Sequence, residues 1–341
     1  MKRLLAVLGA VAMIGGAVLV RGLLTGDGGG SGGGPGGGGD ADTHLVCATE
    51  LEAACEALAA EDDSVTFEVE EAGETAARLT DAEFPPGESE VDGWLTLNPW
   101  PALVSLRADL ANQRDPLGEP SDVLATTRLA VVGPVDRVAQ LEAECGDADS
   151  ISWRCLGEIA DDSWSNHGGE ANQGKIEVGH DDPTVSATGL LVLGQATADY
   201  FDRTDFARND FDLDRGFLDW LDQLESADPG LPLAIQRLPV VEQLERFPTS
   251  SWDAVGTLDP AATAAAARAD DAFTVLYPAP MIVAEAVLAP IRGHEVDLDD
   301  DDLTAALETA GWAPGPAPQE AETSPSAGVF EALIAEWRNV T

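Results

Sequence analysis

The sequence predicts an α/β fold, and three observations carry that prediction. From His44 onward, short apolar runs with strand character alternate with segments of helical periodicity. Gly and Pro clusters separate them, as at Pro85-Pro86-Gly87 and Gly133-Pro134. Apolar residues make up 44% of the 341 positions, too many for a disordered acidic polymer and enough for a sizeable core. The body opens in the order strand, helix, strand, helix, strand, which favours a parallel sheet with helices on its faces.

The chain begins Met1-Lys2-Arg3 and then runs apolar over residues 4–20, with Arg21, Leu23 and Leu24 beyond. A cleaved signal peptide needs a small-x-small site after such a run, and Val18-Leu19-Val20-Arg21 offers none. A membrane span needs roughly 20 apolar residues, which 4–24 supplies if Arg21 snorkels to the interface. Residues 1–25 therefore read as a membrane anchor in preference to a signal peptide, with Lys2 and Arg3 inside and the rest exported. Residues 26–42 form a polyglycine tether with an r.m.s. reach of roughly 20–25 Å. The expected location is the cell membrane with an extracellular body, or secretion if the N-terminus is cleaved.

Within the body, residues 44–49 (HLVCAT) read as a strand, and Leu51, Ala54, Cys55 and Leu58 recur at helical spacing after it. Residues 65–69 alternate as a strand, 74–79 read as a short helix, and 92–97 as a third strand ending at Asn98-Pro99-Trp100-Pro101. A long strand over 124–132 closes at Gly133-Pro134, followed by a helix over 135–144 and a loop over 145–155. A strand over 175–179 leads through a polar turn into a helix over 190–201. Helices at 217–224 and 238–247 follow, then a strand over 272–277 stopped by Pro278 and Pro280. An apolar stretch over 281–288 and a helix over 302–310 complete the body. Residues 313–341 read as a Pro-rich linker with a short amphipathic helix over 329–337.

Charge narrows the function. Sixty-two acidic side chains stand against 18 basic ones, a net charge of −44, which repels nucleic-acid phosphates and excludes DNA or RNA as the main partner. Only Lys2 and Lys175 are lysine; low lysine with abundant Asp and Glu is the composition of a protein kept soluble in high salt, a halophilic trait. Four cysteines, Cys47, Cys55, Cys145 and Cys155, fall in two local pairs of an exported chain. Structural disulfides in sequential pairing are the simplest of three connectivities. No C-x-x-C spacing exists and the four histidines are scattered, so no metal site and no cofactor is expected.

The most informative segment is Asp182-Pro183-Thr184-Val185-Ser186-Ala187-Thr188-Gly189, between a strand and a helix. Thr184, Ser186 and Thr188 offer hydroxyls, and the following helix offers free N–H groups and a positive dipole end, which suit a carboxylate or oxyanion. Ordinary N-capping uses the same residues. The stretch DPTVSATGLLVLGQATADYF resembles the "DP..S..G" loop-helix of type 2 extracytoplasmic solute-binding proteins. The opening HLVCATELEAAC, the crossover strand LATTRLAVVGP and the return strand FTVLYPAPM extend the likeness over residues 44–312.

That resemblance implies an α/β fold of two Rossmann-like lobes joined by two hinge strands, the type 2 periplasmic binding protein fold, in residues 43–312. Residues 44–127 and 275–312 would form one lobe and 128–274 the other. It implies a ligand cleft drawing on Thr49 after the first strand, Asn98 and Trp100 after the third, and Thr126 and Thr127 on the first hinge. Thr184, Ser186 and Thr188 would come from the second lobe and Tyr277 from the return hinge. The implied function is capture of a small ligand, an oxyanion or carboxylate by the helix N-terminus, for an ABC-type importer with a permease as partner. Oxyanion binders of this family carry a serine-rich first loop, whereas here one Thr stands beside Glu50. The C-terminal VFEALIAEWRNVT after its Pro-rich linker resembles the segment joining a solute-binding-like domain to a von Willebrand A domain in bacterial surface proteins. That likeness implies the alternative, a cell-surface interaction module without a transport role. No G-x-S-x-G, H-E-x-x-H or phosphate loop is present, and no matched nucleophile accompanies His180, so no enzyme is expected.

Overall fold

The computed structural model describes residues 43–81, 91–147, 150–270 and 272–341. The expected anchor and tether lie outside these residues. Among the described residues, no helix is long and apolar enough to cross a membrane.

Strand β1 (Thr43–Ala48) is almost wholly buried, as its unbroken apolar run requires of a parallel strand covered on both faces. Helix α1 (Glu52–Glu61) follows, then β2 (Val65–Glu70), α2 (Ala72–Leu79) and β3 (Gly93–Leu97). β2, β1 and β3 pair in parallel, in that order. Helix α3 (Trp100–Leu110) then starts where the sequence reading stops at Asn98-Pro99-Trp100-Pro101. Pro101 lies in the first helical turn, where its missing N–H has no intrahelical partner to lose.

Strand β4 (Ala125–Pro134) belongs to both lobes. Its first half, Ala125–Arg128, pairs antiparallel with β8 (Val283–Pro290), which lies between β3 and β4. Its second half, Leu129–Val132, pairs antiparallel with β6 (Ala254–Leu258), which pairs in parallel with β5 (Val178–Gly179). Strand β7 (Phe273–Leu276) runs along the far end of β4 and returns the chain towards β8. The sheet is therefore mixed: the opening strands are parallel, but the return strand inserts antiparallel between β3 and β4.

The second lobe adds α4 (Val135–Cys145), α5 (Trp153–Ile159), α6 (Ala187–Phe201), α7 (Arg215–Glu225), α8 (Val240–Arg246) and α9 (Asp259–Arg268). α6 carries twelve buried residues in fifteen, so it lies inside the body rather than on its surface. The main core runs through both lobes and includes Trp94, Trp100, Trp153 and Trp164. A smaller core under α8 and α9 gathers Ala130, Val132, Leu244, Val255 and Phe273.

α10 (Asp300–Thr309) packs on α1, and α11 (Ala327–Val340) packs on α3 in the first lobe and on α6 and α7 in the second. Phe330 of α11 is fully buried, and a Cβ at Gly194 would come within 2.6 Å of its ring. Arg107 and Glu331 form an ion pair at 2.8 Å. The C-terminal helix is thus part of the body's core rather than a segment beyond it. Both disulfides form in sequential pairing, Cys47 with Cys55 and Cys145 with Cys155.

Candidate functional site

The two lobes meet where the N-terminal ends of α1 and α2 face the N-terminus of α6, and they enclose a cavity of about 800 Å³. On the first-lobe side, the chain leaves β1 into a short 3-10 turn that presents Thr49 and Glu50, and the N-terminus of α2 presents Glu71 and Glu74. On the second-lobe side, the turn after β5 presents Asp181, Ser186 and Thr188, and α8 and α9 close the wall.

Backbone contact between the lobes is direct. Gly73 N donates to Val185 O at 2.8 Å, and a Cβ on Gly73 would lie 2.1 Å from Thr184 O. Only glycine allows α2 to approach the turn this closely.

Ser186 caps α6 as its sequence context suggests, accepting from Gly189 N at 3.0 Å. The donors of this helix N-terminus face Glu50 across the cleft. Glu50 Oε1 accepts from Ser186 Oγ at 3.2 Å and from Thr188 N at 2.8 Å. A carboxylate from the first lobe therefore fills the position at which an anionic ligand was expected. Thr184 turns away from the cavity wall, its N and Oγ1 both donating to Asp182 at 2.8 and 2.6 Å. The hydroxyls of Thr184 and Ser186 and the backbone N–H of Thr188, donors that the sequence offers to an oxyanion, are used within the protein.

Electrostatics set the rest of the site. Burial, together with the charges of Glu50, Asp181 and Glu74, pushes Glu71 up to about 7, against one opposing hydrogen bond from Thr49. Burial likewise raises Asp181 to about 6, although its Oδ1 accepts from Val240 N at 2.8 Å. His180 beside it is buried, which disfavours its charged form. Glu225 at 3.0 Å outweighs that and holds the imidazolium up to about 9. Its Nδ1 lies 2.7 Å from Asp181 O, so both ring nitrogens are engaged and His180 is not free to act as a base.

Of the residues expected from sequence, Thr49, Ser186 and Thr188 come together in this cavity and the others do not line it. Trp100 is fully buried at the start of α3, with the Arg107 guanidinium 5.7 Å from its ring centre, so it is core rather than a ligand platform. Asn98 donates to Glu285 at 2.9 Å and supports the pairing of β3 with β8. Thr126 and Thr127 are buried within β4, opposite Glu285 and Ala284. Tyr277 donates to Asp259 at 2.8 Å, and Arg128 stacks over its ring at 3.7 Å, so both bind each other at the hinge. Sequence reasoning missed Glu50, Glu71, Glu74 and Asp181. The one available signal was Glu50 next to Thr49 at a helix start.

No protein-family model matches the chain, and no curated protein sequence does. Solved structures do. The periplasmic binding protein AfuA of Actinobacillus pleuropneumoniae, solved with fructose-6-phosphate, superposes with a TM-score of 0.54 at 12% identity, over 87% of this chain and 97% of that one. The substrate-binding protein of an ABC transporter from Agrobacterium tumefaciens gives 0.53 at 12% identity, over 89% and 95%. The fold is that of the two-lobed periplasmic binding proteins. Among the described residues, no group of three or more His, Cys, Asp or Glu side chains is arranged to hold a metal ion.

Proposed function

We propose that this protein captures a small solute between its lobes outside the cytoplasm and presents it to an ABC-type importer. One observation carries the reading: in a periplasmic-binding-protein fold, the lobes enclose a cavity of about 800 Å³, within the size range of small-molecule sites. Two chain segments cross between the lobes, β4 and the stretch from β7 to β8, which is the layout that permits hinge closure. In the same reading, residues 1–25 hold the body at the cell membrane and residues 26–42 let it reorient towards a permease. Thermal-shift screening against oxyanions, amino acids, sugars, amines and metal ions tests it. A ligand at a hundredfold excess over its Kd stabilises by about 2.7 kcal/mol, and no shift with any probe would refute the reading.

A second reading, a cell-surface interaction module, is favoured by one feature. The lobes are already bridged by the protein's own groups, Glu50 to Thr188 and Gly73 to Val185. Crosslinking that captures a protein on a cleft which takes no solute would select it.

A further inference from the structure

We infer that Glu50 is a built-in anion: its carboxylate occupies the N-terminus of α6, latches the two lobes together without solute, and shuts anionic solutes out of that position. The inference rests on the solute-capture reading for its consequence, since exclusion matters only to a cleft that takes solutes. The contact joins opposite walls of the cavity. Glu50 leaves the first lobe in the turn after β1, and its Oε1 accepts from Ser186 Oγ at 3.2 Å and from Thr188 N at 2.8 Å in the second. All three residues line the interlobe cavity, so a solute that enters it meets this contact.

Two features set this contact apart from ordinary helix capping. A helix start is usually capped from its own chain, and Ser186 already does so by accepting from Gly189 N at 3.0 Å. The second acceptor comes from the other lobe, 138 positions before Thr188, so local helix formation does not require it. Burial is the other feature. Ser186 and Thr188 are 7% and 4% exposed, so salt screens their bond to the carboxylate less than it screens charges on the surface.

A carboxylate carried by the chain has an advantage over a free one. The hydrogen bond from Gly73 N to Val185 O at 2.8 Å brings the same two surfaces together. Glu50 then competes for the α6 N-terminus at an effective concentration of about millimolar or more. A free anion has to displace it, a cost that a solute bound elsewhere in the cavity does not meet. Because the bridge exists only while the lobes are together, it favours the closed state over the open one.

Amide hydrogen exchange of the full-length chain tests the inference, in chloride and with chloride replaced by acetate at fixed pH and ionic strength. Glu50→Ala removes a carboxymethyl group, which free acetate matches in size and charge. The variant should exchange about tenfold or more faster in chloride at Thr188, which loses its acceptor, and at Gly73, which does not touch Glu50 but closes the same gap. Acetate should restore protection at both amides. Wild type and Glu56→Ala, which removes an equal charge from the exposed face of α1, should not respond to it. If Glu50→Ala does not fold by circular dichroism, Glu50→Gln, which keeps an acceptor oxygen without the charge, is read for faster exchange at Gly73. Unchanged protection at Gly73 overturns the latch. Faster exchange that acetate does not reverse overturns the anion role, and a wild-type chain that responds to acetate as the variant does overturns the exclusion. Every readout is taken without solute, so failure of the latch leaves solute capture standing. A solute screen without a hit fells solute capture and leaves the bridge.

Discussion

Glu71 shows how one carboxyl links the site to stability. Burial and its acidic neighbours raise it from 4.5 to about 7, so between those values the folded chain holds a proton that the unfolded chain has released. Its contribution is fully present below about 4.5 and is lost as pH rises through about 7. Asp181, raised from 3.8 to about 6, has the same sign at lower pH. The raised imidazolium of His180 extends the decline, its contribution being complete below 6.5 and lost through about 9. Glu71→Gln should therefore raise Tm at pH 8 and leave it nearly unchanged at pH 4.5. Circular-dichroism melts at the two pH values check this, and an equal shift at both would break the linkage. The residues legible at this scale were those with local roles. Ser186 as a cap follows from its position before a helix, whereas the inward Glu71 looks in sequence like any other acid of the coat.

At the scale of elements, helix α11 decides more than its sequence suggests. Its 14 residues follow a Pro-rich stretch and read as a segment beyond the body, yet Val329, Phe330, Leu333 and Ile334 are buried against helices of both lobes. Phe330→Ala should destabilise the fold by about 3–5 kcal/mol, measured as a lower urea midpoint, because the ring fills the gap left by Gly194. A midpoint unchanged from wild type would mean that the helix detaches without consequence. Most elements were legible, since alternation and helical periodicity need only neighbouring residues. α3 was not, because proline at a helix start and proline as a breaker look alike until the capping geometry is known. β6 and α9 were missed too: AVGTL is short and contains glycine, and DPAATAAAAR has little apolar periodicity.

For the whole molecule, the question is what holds the lobes together. The approach of α2 to the turn after β5 depends on Gly73, where an added methyl would overlap Thr184 O. Gly73→Ala should hold the lobes apart, seen as a larger radius of gyration by small-angle scattering and as weaker binding of any cleft ligand. If the variant scatters as wild type and binds as tightly, the backbone contact does not control closure. Self-repulsion acts in the same direction. Like charges around the cavity repel one another at low salt and are screened at high salt, where the Debye length falls to about 3 Å at 1 M. Acidic residues thus line the cavity wall as well as the solvent-facing surface.

The sequence by itself determined most of the element types and the disulfides, whose partners lie 8 and 10 positions apart, while its family resemblance implied the two lobes. Tertiary structure alone decided the antiparallel insertion of β8, the burial of α11 and the character of the cavity. The physical reason is range. Periodicity, capping and short disulfide loops are set by residues within a few turns of each other. The charge of the cleft is set by groups such as Glu50 and Ser186, 136 positions apart, which meet only once the lobes are built and only then turn a presumed anion site into an acidic one.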